Sequence, residues 1–174
     1  MRRLTDYEEL DALCRNITTS FVHLETRDTY GTEVELPHLT KWRRGEPDDH
    51  AWLAAWLEML RRHRAAGRTC RRAEIVSEPL SEYQRWVNSF VDLVIEAGED
   101  IRRVARPRLT DVLLPGSGDF YVFDDRLVMF LHYAGSGLNT AFEVTDEPDT
   151  VRTCRDAFES VWRLTTLPGD DRPD

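Results

Sequence analysis

The sequence predicts a single α/β domain in which helices flank one mixed sheet. A βαβ unit indicates this first: residues 70–76 carry a strand pattern, 80–97 a helix pattern and 100–105 a second strand pattern. Strand patterns without intervening helices then follow, which is typical of an antiparallel meander. A chain of 174 residues can bury one core, so we predict one domain over residues 1–167. Residues 168–174 are predicted to be an acidic flexible tail.

The elements before this unit follow from local signals. Thr5 and Glu8 form a capping box, which predicts a short first helix. Residues 20–25 alternate between polar and apolar side chains and predict a strand. Glycine and proline recur over residues 26–49, which predicts a long loop with a candidate short strand at 34–36.

The remaining elements are a central helix, the meander and a closing helix. Tryptophan and leucine at helical spacing predict a helix over residues 49–66, which Gly67 ends. After the βαβ unit, four segments carry strand patterns: residues 111–114, 120–124, 127–133 and 140–144. Asp124 and Asp125 predict a tight turn between the second and third of these segments. Apolar residues at helical spacing predict the closing helix over residues 149–164.

The overall charge limits the class of partner. The chain has 32 acidic and 23 basic residues, a net charge of −9, which argues against direct nucleic-acid binding and against an anionic membrane surface. The sequence has no apolar stretch near the ~18 residues of a membrane span. Cys14, Cys70 and Cys154 lie far apart and lack metal-ligand spacing. We therefore expect a cytoplasmic protein with reduced thiols and no cofactor.

Charged residues on strands that ought to be buried are the strongest functional signal. Arg72 and Glu74 share one face of a predicted strand. Arg102 and Asp119 lie on or beside other predicted strands, so the four side chains are predicted to converge. Such a group makes either a pocket for an anionic small molecule at the carboxyl ends of the strands or an internal salt-bridge network.

His23 and Glu25 form a second candidate site. They are two residues apart on a predicted strand, so their side chains face the same way. Glu33, Glu35 and His38 follow closely, and imidazole together with carboxylates can bind a metal or perform acid–base catalysis. The alternatives are a solvated strand face and a histidine–carboxylate hydrogen bond, and we predict no metal.

Four groups of residues carry a resemblance to a known family. They are His23, Glu25, Asp28 and Tyr30; Ser77, Glu78, Pro79 and Tyr83; Ala97, Gly98, Glu99 and Arg102; and Asp119, Phe120, Phe123 and Asp124. Together they resemble an uncharacterised actinobacterial family, domain of unknown function 6879, over nearly the whole chain. Genes of that family often lie beside helix-turn-helix regulators, which implies a DNA-binding protein partner. The family name implies no activity.

From Gly67 onward, the layout also resembles one half of the phospholipase D fold. An arginine-bearing strand, a hairpin with a strand-end aspartate and a glycine turn near Asn139 carry this resemblance. Enzymes of that superfamily use a His-x-Lys pair, whereas Asp119 and Tyr121 stand at about that place here and the only lysine is Lys41. The resemblance implies that phosphodiesterase chemistry is lost, and a half-domain of this kind implies a homodimer.

The prediction for function is a non-enzymatic regulatory or ligand-sensing accessory protein that acts with a helix-turn-helix DNA-binding partner. The alternative is an enzyme acting on a phosphorylated or aminoacylated small substrate through His23, Glu25, Arg102 and Asp119. The predicted ligand-binding residues are Arg72, Glu74, Glu78, Arg102, Asp119, Tyr121 and Asp124. For Glu78, which follows a strand, we also predict an interaction with the positive end of the next helix.

Overall fold

One mixed sheet is the centre of the molecule. The computed structural model describes residues 2–4, 7–116 and 118–168, so the predicted tail beyond Pro168 lies outside the described residues. Within them, the strands are β1 (Arg2–Leu4), β2 (Ser20–Glu25), β3 (Thr69–Val76), β4 (Glu99–Ala105), β5 (Phe120–Phe123), β6 (Leu127–Tyr133) and β7 (Asn139–Thr145). They form a seven-stranded sheet in the order β1-β7-β6-β5-β2-β3-β4. β2, β3 and β4 are parallel, and all other neighbours are antiparallel.

Helices cover both faces of this sheet. The α-helices of the described residues are α1 (Tyr7–Arg15), α2 (Leu36–Arg43), α3 (Ala54–Ala65), α4 (Glu82–Val87), α5 (Val91–Ala97) and α6 (Pro148–Trp162). α1 to α5 share one apolar core with one face of the sheet. α6 packs on the other face through Val151, Phe158 and Val161. The predicted α/β domain with a mixed sheet flanked by helices is therefore confirmed.

Two predictions for the segment before the βαβ unit are wrong: the long loop over residues 26–49 and the short strand at 34–36. Residues 34–36 do not form a strand, because α2 begins at Leu36 inside the stretch predicted to be a loop. Pro37 occupies the first turn of this helix, where the missing proline N–H breaks no hydrogen bond. The proline that argued against regular structure therefore marks the start of a helix.

The predicted helix over residues 80–97 is two helices. Ser81 caps the first one, and its side chain accepts a hydrogen bond from the Gln84 N–H at 3.1 Å. The break is at residues 88–90, where Phe90 has φ −137°, outside the helical region. Ser89 donates its hydroxyl to the Trp86 carbonyl at 2.6 Å, a local bond that competes with helix continuation.

The meander matches its prediction at the hairpin and differs before it. Residues 111–114 do not form a strand but follow a 3₁₀ turn, Arg106–Leu109, and Leu113 is exposed. Asp124 and Asp125 have φ of 51° and 52°, so both lie in the left-handed region of a tight hairpin turn between β5 and β6. The short strand β1, which was not predicted, pairs with β7.

Candidate functional site

A cavity of about 610 Å³ lies on the face of the sheet that α1 to α5 cover. Glu25, Arg72, Glu74 and Tyr121, from three neighbouring strands, contribute to its lining. Alternation places these side chains on the same face, because neighbouring positions in β2, β3 and β5 are paired in register. The predicted convergence at this face therefore holds for Arg72 and Glu74, and Tyr121, a predicted ligand-binding residue, lines the same cavity.

The guanidinium group of Arg72 is fully engaged by carboxylates. Its Nε and Nη2 donate to the two carboxylate oxygens of Glu99 at 2.9 Å and 3.1 Å. Its Nη1 lies 3.2 Å from Oε1 of Glu25. Glu99 is buried and also accepts a hydrogen bond from Trp56 Nε1 at 3.3 Å. A bidentate pair of this kind holds the arginine rigidly in the floor of the cavity.

Glu25 is a largely buried carboxylic acid that has other carboxylates among its neighbours. Its side chain is 13% exposed, and it stands opposite Glu74 on the neighbouring strand. Burial raises the pKa of Glu25 to about 8. Arg72 lowers the pKa, but burial together with the negative charges of Glu74, Asp119 and Glu99 outweighs that effect. At neutral pH this carboxyl group therefore carries a proton and can donate a hydrogen bond.

Glu74 forms a buried ion pair with Arg103. Nε and Nη2 of Arg103 donate to Glu74 Oε2 at 2.9 Å and 2.5 Å, and both residues are almost completely buried. Arg103 also donates to the side-chain oxygens of Gln84 and Asn88. Each of its nitrogens is therefore paired, as a buried guanidinium requires.

Arg102, the predicted partner of this group, lies on the opposite face of the sheet. Its guanidinium pairs with Asp100 at 3.0 Å and lies 4.5 Å from the ring centroid of Trp162. Successive strand side chains alternate between faces, so only one of two adjacent arginines can reach the cavity side. That arginine is Arg103, and the predicted convergence of Arg102 with Arg72 is wrong.

His23 is buried beside the cavity floor. Its ring stacks on Tyr121 with 3.8 Å between ring centroids, and its Nδ1 lies 3.4 Å from Glu25 Oε1. Neither ring nitrogen forms a hydrogen bond within the described part of the chain. Burial, with a contribution from Arg72, holds the pKa of His23 well below its usual value. The imidazole is therefore neutral at physiological pH.

Asp119 anchors the loop that follows β2. Its Oδ1 accepts from the N–H and the hydroxyl of Thr26 at 2.9 Å and 2.5 Å, and its Oδ2 accepts from the Tyr30 hydroxyl. Burial raises the pKa of Asp119 despite these hydrogen bonds. A second contact, from the Gly31 N–H to the Gly137 carbonyl at 3.0 Å, holds the same loop at the β6–β7 turn. Asp119 thus positions the loop that borders the cavity.

Asp124 and Glu78 lie away from the cavity. Asp124 is at the opposite end of β2, where its carboxylate accepts from the N–H groups of Thr18, Thr19 and Ser20 at 2.7–3.0 Å. Burial would raise the pKa of Asp124, but these hydrogen bonds outweigh it and lower the pKa to about 2. Glu78 is exposed in the turn before α4.

The group predicted around His23 and Glu25 is divided in the structure. Glu33 and Glu35 line the cavity, and Glu35 accepts from the hydroxyls of Tyr83 and Thr32 at 2.7 Å and 2.6 Å. His38 instead pairs with Asp48 at 2.5 Å. Within the described ranges, no group of three or more His, Cys, Asp and Glu side chains is arranged to hold a metal ion.

Aromatic and apolar side chains form the walls of the cavity. Trp52 and Trp56 are one helical turn apart in the segment before and within α3, and Tyr83, Val87 and Phe90 lie across from the sheet in and after α4. Helical spacing places Trp52 and Trp56 on one side of a helix, but it does not show that this side borders a cavity.

Fold and site together define an α/β domain with a charged, aromatic-walled cavity on one face of its sheet. The family model described as domain of unknown function 6879 matches residues 8–167, so the chain belongs to that family, as the sequence resemblance predicted. No curated protein matches the chain. None of the described helices has the length and apolar character needed to cross a membrane.

Proposed function

We propose that this protein is a non-enzymatic ligand-sensing accessory protein that binds a small molecule in the cavity and acts with a helix-turn-helix DNA-binding partner. The observation that carries the proposal is a cavity of about 610 Å³ that combines a rigid charged floor with apolar walls. Small-molecule sites have this size and this combination of apolar lining with few polar groups.

The positions of the arginines favour binding over turnover of a phosphorylated substrate. Catalysis on such a substrate requires cationic groups free to stabilise developing negative charge. Arg72 is occupied by Glu99 and Glu25, and Arg102 is on the other face of the sheet. The oxygens of Asp119 are already engaged by Thr26 and Tyr30. Arg102 and Asp119, two of the four residues of the enzyme hypothesis, are therefore not free to act on a substrate in the cavity.

One observation favours the enzyme as a second candidate. Glu25 lines the cavity, and burial raises its pKa to about 8, a range typical of a general acid. An enzyme of this kind would convert its ligand, whereas a sensor returns the ligand unchanged. Chromatography of a ligand after prolonged incubation with the protein therefore separates the two candidates.

The same proposal includes a DNA-binding protein partner, descent from a phospholipase D-like half-domain, a homodimer and a cytoplasmic location. The neighbourhood of family genes to helix-turn-helix regulators supports a DNA-binding partner. Parallel strands followed by an antiparallel meander support descent from a phospholipase D-like half-domain, for which we propose a homodimer. Free thiols at Cys14, Cys70 and Cys154 support a cytoplasmic location, where thiols stay reduced.

A screen of the full chain tests the ligand-sensing function. Thermal shifts are measured with a panel of cationic, anionic and neutral metabolites, and at least one compound is expected to raise the melting temperature in a concentration-dependent way. Leu10→Trp, in the cavity wall, is expected to reduce the shift by placing an indole ring in the cavity, whereas Leu93→Trp, on the exposed side of α5, leaves it unchanged. Equal shifts in the two variants would contradict binding in the cavity.

A co-elution experiment tests the partner. A helix-turn-helix regulator from the same organism is mixed with the protein, and the elution volume is measured with and without a compound from the screen. We expect a complex whose population changes with the compound. Separate elution of the two proteins under both conditions would exclude the partner.

A further inference from the structure

The lining of the cavity has a surplus of negative charge. Of the described residues that line it, four carry a carboxylate besides the protonated Glu25, and one carries a guanidinium: Asp11, Glu33, Glu35 and Glu74, against Arg72. Adding the charged partners that lie behind the lining, Glu99 and Arg103, keeps the carboxylates in the majority. This surplus opposes the anionic ligand that the sequence predicts, because like charges repel strongly where water is scarce.

The paired carboxylates also retain acceptor atoms for a ligand. Both contacts of Glu25 go to Oε1, from Arg72 and His23, and both N–H groups of Arg103 go to Glu74 Oε2. Within the described residues, no hydrogen bond reaches Glu25 Oε2 or Glu74 Oε1. Because the two residues stand opposite each other on neighbouring strands, both carboxyl groups lie on the cavity side of the sheet.

The polar network of the floor is incomplete at a second place. His23 is 5% exposed, and neither of its ring nitrogens has a hydrogen-bond partner within the described residues. It lies on the cavity side of β2, between Tyr121 and Glu25, which both line the cavity. Nδ1 of His23 lies 3.4 Å from Glu25 Oε1, beyond a good hydrogen-bond distance, so a polar group of a ligand can supply a hydrogen bond that the chain leaves unmade.

The wall offers a surface for an apolar body and one aromatic ring for a cation. Trp52 already stacks with His38 and with Trp86. Trp56 is only tilted against Phe21, at 42°, and its Nε1 donates to Glu99. Trp56 is therefore the wall ring whose face is suited to a cation–π contact.

We infer that the cavity binds an organic cation, an ammonium or guanidinium group on an apolar body. The cationic head lies between Glu25 Oε2 and Glu74 Oε1 and against the ring face of Trp56, and the body packs against the apolar side chains of α4 and α5. This inference rests on the proposed ligand-sensing function and names its ligand class.

Binding of a cation is coupled to release of one proton from Glu25. Its pKa of about 8 in the free protein means that at pH 7 the carboxyl group is mostly protonated and must ionise to bind a cation well. The charged and titratable groups around it are His23, Tyr30, Arg72, Glu74, Tyr83, Glu99, Asp119 and Tyr121. The affinity therefore rises with pH by up to about tenfold per unit below pH 8 and levels off above it.

Isothermal titration with tryptamine and indole-3-acetate tests the inference, because the two probes share the indole body and differ in the charge of the side chain. We expect tryptamine to bind, indole-3-acetate not to bind, and the heat to depend on the ionisation enthalpy of the buffer at pH 7. Glu25→Gln is expected to weaken tryptamine at least tenfold at pH 8 and to remove the proton release. Trp56→Leu is expected to weaken it about fivefold.

The control and the contrary outcomes are defined by the same titrations. Glu143→Gln, on the other face of the sheet, is expected to bind tryptamine like the wild type. Tighter binding of indole-3-acetate, or unchanged tryptamine affinity in Glu25→Gln, overturns the cation inference. If compounds without positive charge bind in a way that Leu10→Trp weakens, the ligand-sensing function stands and only the cation inference fails. If the wider panel yields no binder of any charge, both fail.

Discussion

Glu25 and Glu74 stand opposite each other on neighbouring parallel strands, with both carboxyl groups on the cavity side of the sheet. Strands in a sheet are ~4.8 Å apart, so ionisation of one carboxyl opposes ionisation of the other. Arg103 donates two hydrogen bonds to Glu74, whereas Arg72 gives its bidentate face to Glu99 and only one nitrogen to Glu25. Burial is the main cause of the raised pKa of Glu25, and the single contact with Arg72 does not offset it.

Replacing Glu25 with glutamine is expected to change how stability depends on pH. The pKa of Glu25 is raised from the ordinary 4.5 to about 8 in the folded protein, so the wild type loses stability as pH rises through that interval. The loss approaches about 1.4 kcal/mol per pH unit. Urea unfolding between pH 5 and pH 8 measures it, and Glu25→Gln should show a flatter profile. Parallel profiles for the two proteins would show that Glu25 ionises normally.

Breaking the Glu74–Arg103 pair is expected to destabilise the fold severely. Glu74→Ala leaves the Arg103 guanidinium buried without its carboxylate, which costs about 3–5 kcal/mol. The double variant Glu74→Leu with Arg103→Met should recover most of this loss, because it buries no charge. Urea denaturation gives both values. Asp149→Ala, which removes an exposed pair with Arg152, is the control and should have little effect.

Removing the Asp124 carboxylate is expected to destabilise the start of β2 above pH 4. Its pKa is lowered from 3.8 to about 2, so its contribution is present above pH 4 and is lost as pH falls toward 2. Asp124→Asn keeps a residue that tolerates the left-handed turn, and we expect a loss of about 1 kcal/mol after allowance for solvent screening. If the gap between wild type and variant persists unchanged at pH 2, the hydrogen bonds do not depend on the charge.

Replacing Arg102 is expected to spare the cavity. Arg102→Met removes contacts with Asp100 and Trp162 on the opposite face and should cost less than about 1 kcal/mol. Thermal shifts with tryptamine should match those of the wild type. A variant that folds normally but loses these shifts would place the ligand on the α6 side of the sheet instead.

Sedimentation velocity tests the proposed homodimer. A dimer is expected to sediment as a species of twice the 20.3 kDa chain mass, with a fraction that increases with concentration. A species of 20.3 kDa at all concentrations contradicts the dimer and the argument from a half-domain that supports it.

Strand alternation in the sequence was enough to place Arg72 and Glu74 on one face of β3, and the bounds of β2 agree with the prediction. It could not decide between Arg102 and Arg103. The two are identical neighbours, so the period-2 pattern reads equally well with either one facing inward. Arg103 faces the cavity side because its guanidinium pairs there with Glu74 and Gln84, which only the folded chain brings near it.

The sequence by itself determined the α/β class, the parallel unit with its meander, the hairpin turn and the presence of charged residues on interior strands, because all of these are recorded in local periodicity and turn chemistry. The tertiary structure alone decided which carboxylate pairs with which arginine, that Trp52 and Trp56 border a cavity, and that Glu25 holds a proton. Those properties depend on distances and burial between segments far apart in the chain, and no local pattern encodes them.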